Sequence, residues 1–316
     1  MEHPGPSGPA VARNRGAAVA TGDVLVFIDS DVVASPEALA RLATTFGGHP
    51  EVAAVFGAYD DQPAEPNLIS QYKNLTHSFI HRSSNKIAQT FWAGFGAVRA
   101  NAFFEVGGFD ERFPRPSVED IDLGYRLSAA GHLLWLDADL QVCHLKRWTF
   151  ASLLASDVLD RGIPWTQLIW RGGRVHNDLN LYNAYRVSVG LAYILLALLI
   201  GAFAEPMLLL PAGATVALLY WLSRDFYLYF VRNRGLMFAL RIAPLHYLYH
   251  LYNGCSFLIG STLYIVRRWL GVRLPGSLPI TPWRRSMAQN LGSNERTTAV
   301  TAAPGRVSPE RRAASK

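Results

Sequence analysis

The residues best suited to chemistry fall into two acidic groupings. The first is Asp29-Ser30-Asp31, set directly after the unbroken apolar run Val24-Leu25-Val26-Phe27-Ile28. Two carboxylates one residue apart at the end of a buried strand can hold a hard divalent cation, Mg²⁺ or Mn²⁺, that neutralises a diphosphate. The same spacing also serves a solvated loop that caps the following helix. The second grouping is Glu119-Asp120-Ile121-Asp122, which opens a helical pattern carrying Leu123, Leu127 and Ala130 on one face. Acids in a first turn complement the positive end of the helix dipole, so their presence alone requires no reaction. His144 falls at a strand end, where a histidine satisfied by its neighbours is commoner than a ligand. Cys143 and Cys255 lie far apart and outside any paired ligand spacing, which supports neither a disulfide scaffold nor a structural zinc site.

The elements that must position these acids read as alternating helices and strands. Pro9 to Ala20 is a helical stretch with small residues on one side and Arg13, Asn14 and Arg15 on the other, stopped by Thr21-Gly22-Asp23. The apolar run Val24 to Ile28 predicts a strand buried on both faces of a parallel sheet. Ser35-Pro36-Glu37 predicts the next helix, with Ser35 as N-cap, Pro36 at the first helical position, and Leu39, Leu42 and Phe46 at helical spacing before Gly47-Gly48. With the strand Val52 to Phe56 this makes a βαβ unit and hence an α/β domain with a mostly parallel sheet. Ligands of such sheets collect at the carboxyl ends of strands, where Asp29 and Asp31 fall. Gly107-Gly108 predicts a sharp turn, Gly131 a helix C-cap, and Leu133 to Leu136 a further strand.

Composition then divides the chain into two environments. Half of the 316 residues are hydrophobic and 17% are charged, and charges are scarce from Val187 to Val266. Val187–Phe203 and Met207–Leu222 carry none and are separated by Ala204-Glu205-Pro206. Each is slightly short of the ~20 residues that span a bilayer, which predicts a tight transmembrane hairpin. Arg224, Arg232, Arg234 and Arg241 mark a cytoplasmic, interfacial stretch, with Glu205 on the opposite side. A third apolar segment, Tyr247–Val266, is followed at once by Arg267 and Arg268, which favours a re-entrant or interfacial path. Thr149 to Trp170 reads as a Trp-bearing amphipathic helix, interrupted by Gly162 and Pro164 and lying on the bilayer surface. The net charge of +6 gathers around the apolar stretches and the tail instead of on one aromatic-basic face, so a membrane surface is the expected partner and nucleic acid is not. The first residues contain no apolar core of a secretory signal, and residues 285–316 have the composition of a disordered tail.

Several segments in order carry a resemblance. Ala12-Arg13-Asn14-x-Gly16, Ala20-x-Gly22-Asp23 and the strand into Asp29-Ser30-Asp31 are followed by Trp92-Ala93-Gly94 with Arg99. Then come Gly107-Gly108-Phe109-Asp110-Glu111, Glu119-Asp120-x-Asp122-Leu123 with Arg126, and Gly131-His132. Over roughly residues 9 to 170 the chain closely resembles the family 2 glycosyltransferases of the GT-A fold. Arg161 and Trp165 are similar to the first Arg and the Trp of the Q/R-x-x-R-W motif of membrane-bound members, with Pro164 where the second Arg would stand. A rival motif, the aspartyl-phosphate phosphatase nucleophile, also follows a hydrophobic strand with Asp-x-Asp. It belongs near the first strand of its domain, whereas a helix precedes it here.

The resemblance implies an α/β fold: a partial GT-A (Rossmann-like) mixed-sheet domain over residues 1–174, followed by an α-helical membrane region over 187–266. It implies an inverting glycosyltransferase at the cytoplasmic face of the inner (plasma) membrane, moving a sugar from a nucleotide-sugar donor to a lipid or membrane-proximal glycan acceptor. Its counterpart without turnover is a membrane-anchored remnant of such an enzyme. Carried over residue by residue, Asp31 is the ligand of the divalent metal (Mg²⁺ or Mn²⁺), Asp29 contacts ribose or metal, and Arg13 and Asn14 belong to the donor side. Asp120 is the base that deprotonates the acceptor hydroxyl, with Glu119 beside it, while Trp92, Gly94, Asp122, Arg161 and Trp165 face the acceptor. Family members begin with a nucleotide-binding half that is not found before Pro9. The resemblance therefore also implies an exposed strand edge and weak binding of a sugar nucleotide by metal at Asp31 alone.

Overall fold

The computed structural model describes residues 8–113, 115–172, 183–272 and 274–278, so the expected tail 285–316 lies outside the described residues. Helix α1 (Pro9–Val19) begins with Pro at its first turn and leads into β1 (Val24–Ile28), β2 (Val32–Ala34), α2 (Ala38–Gly48) and β3 (Val52–Tyr59). Helix α3 (Leu68–Ser83) follows, capped by the Asn67 side chain, which accepts from the Ser70 N–H. Then come β4 (Ile87–Ala88), β5 (Phe95–Arg99), α4 (Ala100–Glu105), α5 (Glu119–Ala129) and the long strand β6 (Leu133–His144).

The sheet runs β1-β5-β3-β6-β2, and β4 pairs with the first part of β6 on the side that β2 takes farther along. Among the described residues only β3 and β6 pair in parallel; the other pairings are antiparallel. The expected mostly parallel sheet is therefore a mixed one, because β5 inserts antiparallel between β1 and β3. The strand Val24–Ile28 differs from expectation for the same reason. It pairs with β5 alone and stands at one edge of the described sheet, burying Leu25 and Phe27 while Val26 and Ile28 are 41% and 50% exposed. An unbroken apolar run carries no period from which to tell one buried face from two.

The α2 start also differs. Ser35-Pro36-Glu37 forms a turn closed by the Ala38 N–H on the Ser35 carbonyl, and Ala38, Leu42 and Phe46 point inward while Leu39 is exposed. The Gly107-Gly108 turn is present, with φ of 79° and 66°.

After β6 the chain forms α6 (Phe150–Ala155), a π-helical turn (Ser156–Gly162) and α7 (Ile163–Gly172), then α8 (Asn183–Gly201), a 3-10 turn (Pro206–Leu208), α9 (Leu209–Leu222), α10 (Arg224–Arg234) and α11 (Leu236–Leu270). The expected surface helix 149–170 is instead a packed element. Ile163, Pro164, Thr166, Gln167, Leu168 and Ile169 are buried, and α7 lies against α11 so closely that a Cβ on Gly260 would meet the Ile163 carbonyl at 2.8 Å. Nor is Tyr247–Val266 a separate segment, since α11 runs unbroken for 35 residues through Pro244.

The hairpin segments are helices, and α8 is long and apolar enough to cross a membrane. α9, at 14 residues, meets α10 at a 67° bend. A second core of Tyr72, Leu75, Leu153, Phe226, Phe230, Ala239 and Ile242 ties α3 and α6 to α10 and α11. Arg234 adds hydrogen bonds to Gln71 Oε1 and the Asp61 carbonyl, each 2.7 Å. The described residues on the two sides of 174–187 pack into one compact unit.

Candidate active site

The Asp29-Ser30-Asp31 loop links β1 to β2 and is fastened at both ends. The Asp29 N–H donates to the Gly94 carbonyl (3.0 Å) and the Leu145 N–H donates to the Asp31 carbonyl (2.8 Å). These bonds fix the backbone and leave the carboxylates 37% and 40% exposed. Asp31 Oδ2 lies 3.4 Å from His144 Nε2, at the far end of β6. The His144 ring is held by Nδ1 on Asn74 Oδ1 (2.7 Å) and by stacking on Tyr59 at 4.5 Å and 8°. Burial lowers the His144 pKa against the opposing pull of Asp31.

Arg13 of α1 reaches across this loop. Its guanidinium donates to Asp29 Oδ1 and Glu119 Oε1, both at 2.7 Å, and the other Glu119 oxygen accepts from the Ser117 N–H at 2.8 Å. One cation thereby holds the strand-end loop to the first turn of α5. Asn14 plays a different part from the one expected on the donor side. Its carboxamide both donates to and accepts from the Phe109 backbone, at 2.9 Å each, and clamps the Gly107-Gly108 turn. A Cβ on Gly108 would lie 2.7 Å from Asn14 Oδ1, which adds to the demand of its positive φ for glycine.

Asp122, expected at the acceptor, is instead fully buried and paired with Arg126 (2.8 Å). Arg126 in turn donates to the Val106 and Gly108 carbonyls at 2.7 and 2.6 Å. Arg171 of α7 adds a contact to Asp122 at 3.4 Å. Helical phase explains the difference: residues two positions apart on a helix do not share a face, so Asp120 and Asp122 point different ways.

Asp120 is the acid that faces open space. Its Oδ2 accepts from the Ala93 N–H (3.2 Å), and burial, reinforced by the Glu119 charge, pushes its pKa up to about 6 despite Arg13 and Arg161. It lines a cavity of about 500 Å³ that also receives Trp92, Arg161 and Trp165. The Trp92 indole packs edge-on to Tyr59 at 4.9 Å and covers Gly94, where a Cβ would meet the ring at 2.3 Å. Trp165 Nε1 donates to Tyr125 OH (2.9 Å).

The structure therefore brings Arg13, Asp29, Glu119, Asp120, Trp92 and Gly94 together and sets Asn14 and Asp122 to structural tasks. The sequence reading passed over α3, whose Lys73, His77 and His81 line the same cavity, and Tyr249 and His250 of α11 on its other side. The Asn67 cap followed by Leu68, Tyr72, Leu75 and Phe79 at helical spacing was the available signal. Among the described residues no group of three or more His, Cys, Asp or Glu side chains forms a ready metal cluster.

Residues 3–151 match the family model described as glycosyltransferase like family 2. This part of the chain is a family 2 glycosyltransferase domain. The family 2 domain is similar to a pre-mycofactocin glycosyltransferase of Mycobacterium tuberculosis, 33% identical over 162 residues, covering 49% of this chain and 34% of that protein. It is also similar to a validoxylamine A glucosyltransferase of Streptomyces hygroscopicus, 29% identical over 149 residues, covering 39% of this chain and 35% of that protein. The chain thus spans about a third of the length of these curated relatives. Among solved structures, a Pyrobaculum calidifontis mannosyltransferase in complex with GDP-Man and Mn²⁺ aligns at 15% identity and a TM-score of 0.37, covering 82% of this chain and 66% of that one. The match over the Asp29-Ser30-Asp31 loop and α5 removes the phosphatase reading.

Proposed function

We propose that the chain is a metal-dependent, inverting glycosyltransferase that moves a sugar from a nucleotide-sugar donor to a hydroxyl of a lipid or membrane-proximal glycan. The observation that carries this reading is the Arg13 bridge, which ties Asp29 and Glu119 to one guanidinium and sets the donor-side loop beside Asp120.

The donor set suits a divalent ion. Two ligands at right angles around a hard divalent cation, with bonds near 2.1 Å, stand about 3 Å apart. Asp31 Oδ2 and His144 Nε2, 3.4 Å apart with the imidazole kept neutral by burial, are close to that separation. Asp31 and His144 would hold the ion, with Asp29 engaged by Arg13. Once bound, the ion supplies positive charge that stabilises a departing diphosphate.

Asp120, ionised above a pKa of about 6, takes the proton of the acceptor hydroxyl. The acceptor oxygen forms its bond to the anomeric carbon from the face opposite the diphosphate, the bond from that carbon to the phosphate oxygen breaks, and the nucleoside diphosphate leaves. One displacement inverts the anomeric centre. Arg13 keeps Glu119 ion-paired, which limits its repulsion of an ionised Asp120. Trp92, which offers the acceptor a flat apolar wall, shares the cavity with Arg161 and Trp165.

The apolar hairpin α8–α9, with Ile194, Leu199, Leu210 and Trp221 outward, is read as the anchor in the inner membrane, with the catalytic half on the cytoplasmic face. The test is titration with UDP- and GDP-sugars in Mn²⁺ and in EDTA. Wild type should bind one donor more tightly with Mn²⁺, and Asp31→Asn should erase that difference while melting like wild type. Donor binding by Asp31→Asn that still responds to Mn²⁺ as in wild type would sink the assignment.

A further inference from the structure

The cavity beside Asp120 extends well beyond the catalytic acid. Its walls come from α3, the π-helical turn, α7, α8 and α11, and most of them are apolar, including Ile80, Ile169, Val189 and Phe257. Three cations line it, and they are not equivalent: Arg186 of α8 donates to Asn183 Oδ1 at 2.7 Å. Lys73 is neutralised by Asp157, which also accepts from Tyr252 OH at 2.6 Å. Arg161, one turn after Asp157, makes no hydrogen bond or ion pair with a described residue. Its charge is felt by Asp120 across the cavity, but its N–H donors have no acceptor, and an anion that supplies one is their natural complement. His250 and His77 also line the cavity; His250 is 97% buried, since only 3% of it is exposed, and the Nδ1 atoms of both rings have no hydrogen-bond partner. Buried polar atoms left open in this way call for a hydrogen-bonding ligand.

We infer that this cavity takes an anionic amphiphile, an acceptor that carries a hydroxyl for Asp120, an acidic group for Arg161 and an apolar body along Ile80, Ile169, Val189 and Phe257. The inference rests on the reading of Asp120 as the acceptor-side base. The acid and the reacting hydroxyl are separate groups of the ligand. A phosphate oxygen is already largely deprotonated at neutral pH and needs no base, whereas a hydroxyl does need one, and Asp120 is held at a pKa of about 6 for that purpose.

The test uses the whole chain in phosphatidylcholine nanodiscs without donor or metal, and equilibrium binding of tritiated ω-hydroxydodecanoate with empty nanodiscs subtracted. Dodecanediol and acetate serve as the neutral and the short competitor. The hydroxy acid should bind saturably, the diol should compete about tenfold less well or worse, the margin of a charge-assisted hydrogen bond, and acetate should not compete. Arg161→Gln should bring acid and diol to equal affinity, Arg161→Lys should retain part of the preference, and Val189→Trp should block both. Equal binding of acid and diol by wild type, competition by acetate at the same concentrations, or an unchanged preference in Arg161→Gln would overturn the inference. The wild-type comparison decides even where a variant does not fold. Metal-dependent donor binding is read separately, so its persistence without acid binding would remove this inference alone.

Discussion

Replacing Asp120 by Asn should cut turnover and at the same time stabilise the protein above neutral pH. The folded state holds this carboxyl near pKa 6 against an ordinary value of 3.8. Folding therefore opposes its ionisation by about 3 kcal/mol at about 1.4 kcal/mol per unit. The sign follows from linkage: with the folded pKa raised, the group favours the native state fully below pH 3.8, and that contribution is lost as pH rises through about 6. Asparagine keeps the shape and never ionises. It retains one of the two acceptors now used by the Ala93 and Ile121 N–H groups, and losing the other costs about 1 kcal/mol. The net gain at pH 7.5 is then about 2 kcal/mol, or roughly 4 °C or more in melting temperature. At pH 4.5 the ionisation penalty has shrunk to about 1 kcal/mol, so the gain should vanish. Thermal melts at the two pH values measure this. Transfer assays should show kcat down by ~10² or more with donor affinity retained. An Asp120→Asn protein less stable than wild type at pH 7.5, or equally stabilised at both pH values, would refute the electrostatic argument.

Two further substitutions test the supports of the site. Gly94→Ala places a methyl 2.3 Å from the Trp92 ring and should displace the indole, costing about 1–3 kcal/mol of stability and most of the transfer activity, read by denaturation and a sugar-transfer assay. Arg126→Met removes the nearer of the two cations beside buried Asp122, leaving Arg171 at 3.4 Å, and the donors to the Val106 and Gly108 carbonyls, so it should cost about 3 kcal/mol. Pairing it with Asp122→Leu should recover a large part of that loss in equilibrium unfolding.

How much of this was legible in the sequence depended on whether a residue's task is set by its near neighbours or by distant ones. Helix α1, the Gly107-Gly108 turn and the acidic start of α5 are local matters of caps, glycine conformation and dipole, and they stand where the sequence puts them. The direction of β1 is not local. It depends on β5, which arrives some seventy residues later and pairs Val24 with Arg99. Asn14 and Asp122 share motifs with Arg13 and Asp120 and yet turn inward, because adjacent or alternate positions on a helix face different ways, and a motif records spacing without recording which face meets the cavity.

The cavity itself was the least legible feature, since its walls come from segments that carry opposite compositional signals. Tyr72, Lys73 and His77 belong to the globular half, while Tyr249, His250 and Phe257 belong to the stretch poor in charge. A composition that divides the chain into a catalytic half and a membrane half assigns these two groups to different environments. The contacts join them: Asp157 takes Lys73 from α3 and Tyr252 from α11 onto one carboxylate, and Arg234 fastens the α10–α11 junction to Gln71. Helix α11 is therefore a wall of the catalytic half as much as a neighbour of the apolar hairpin. An acceptor drawn along it toward Asp120 would pass from α8, at the hairpin's start, to Trp92 within one cavity.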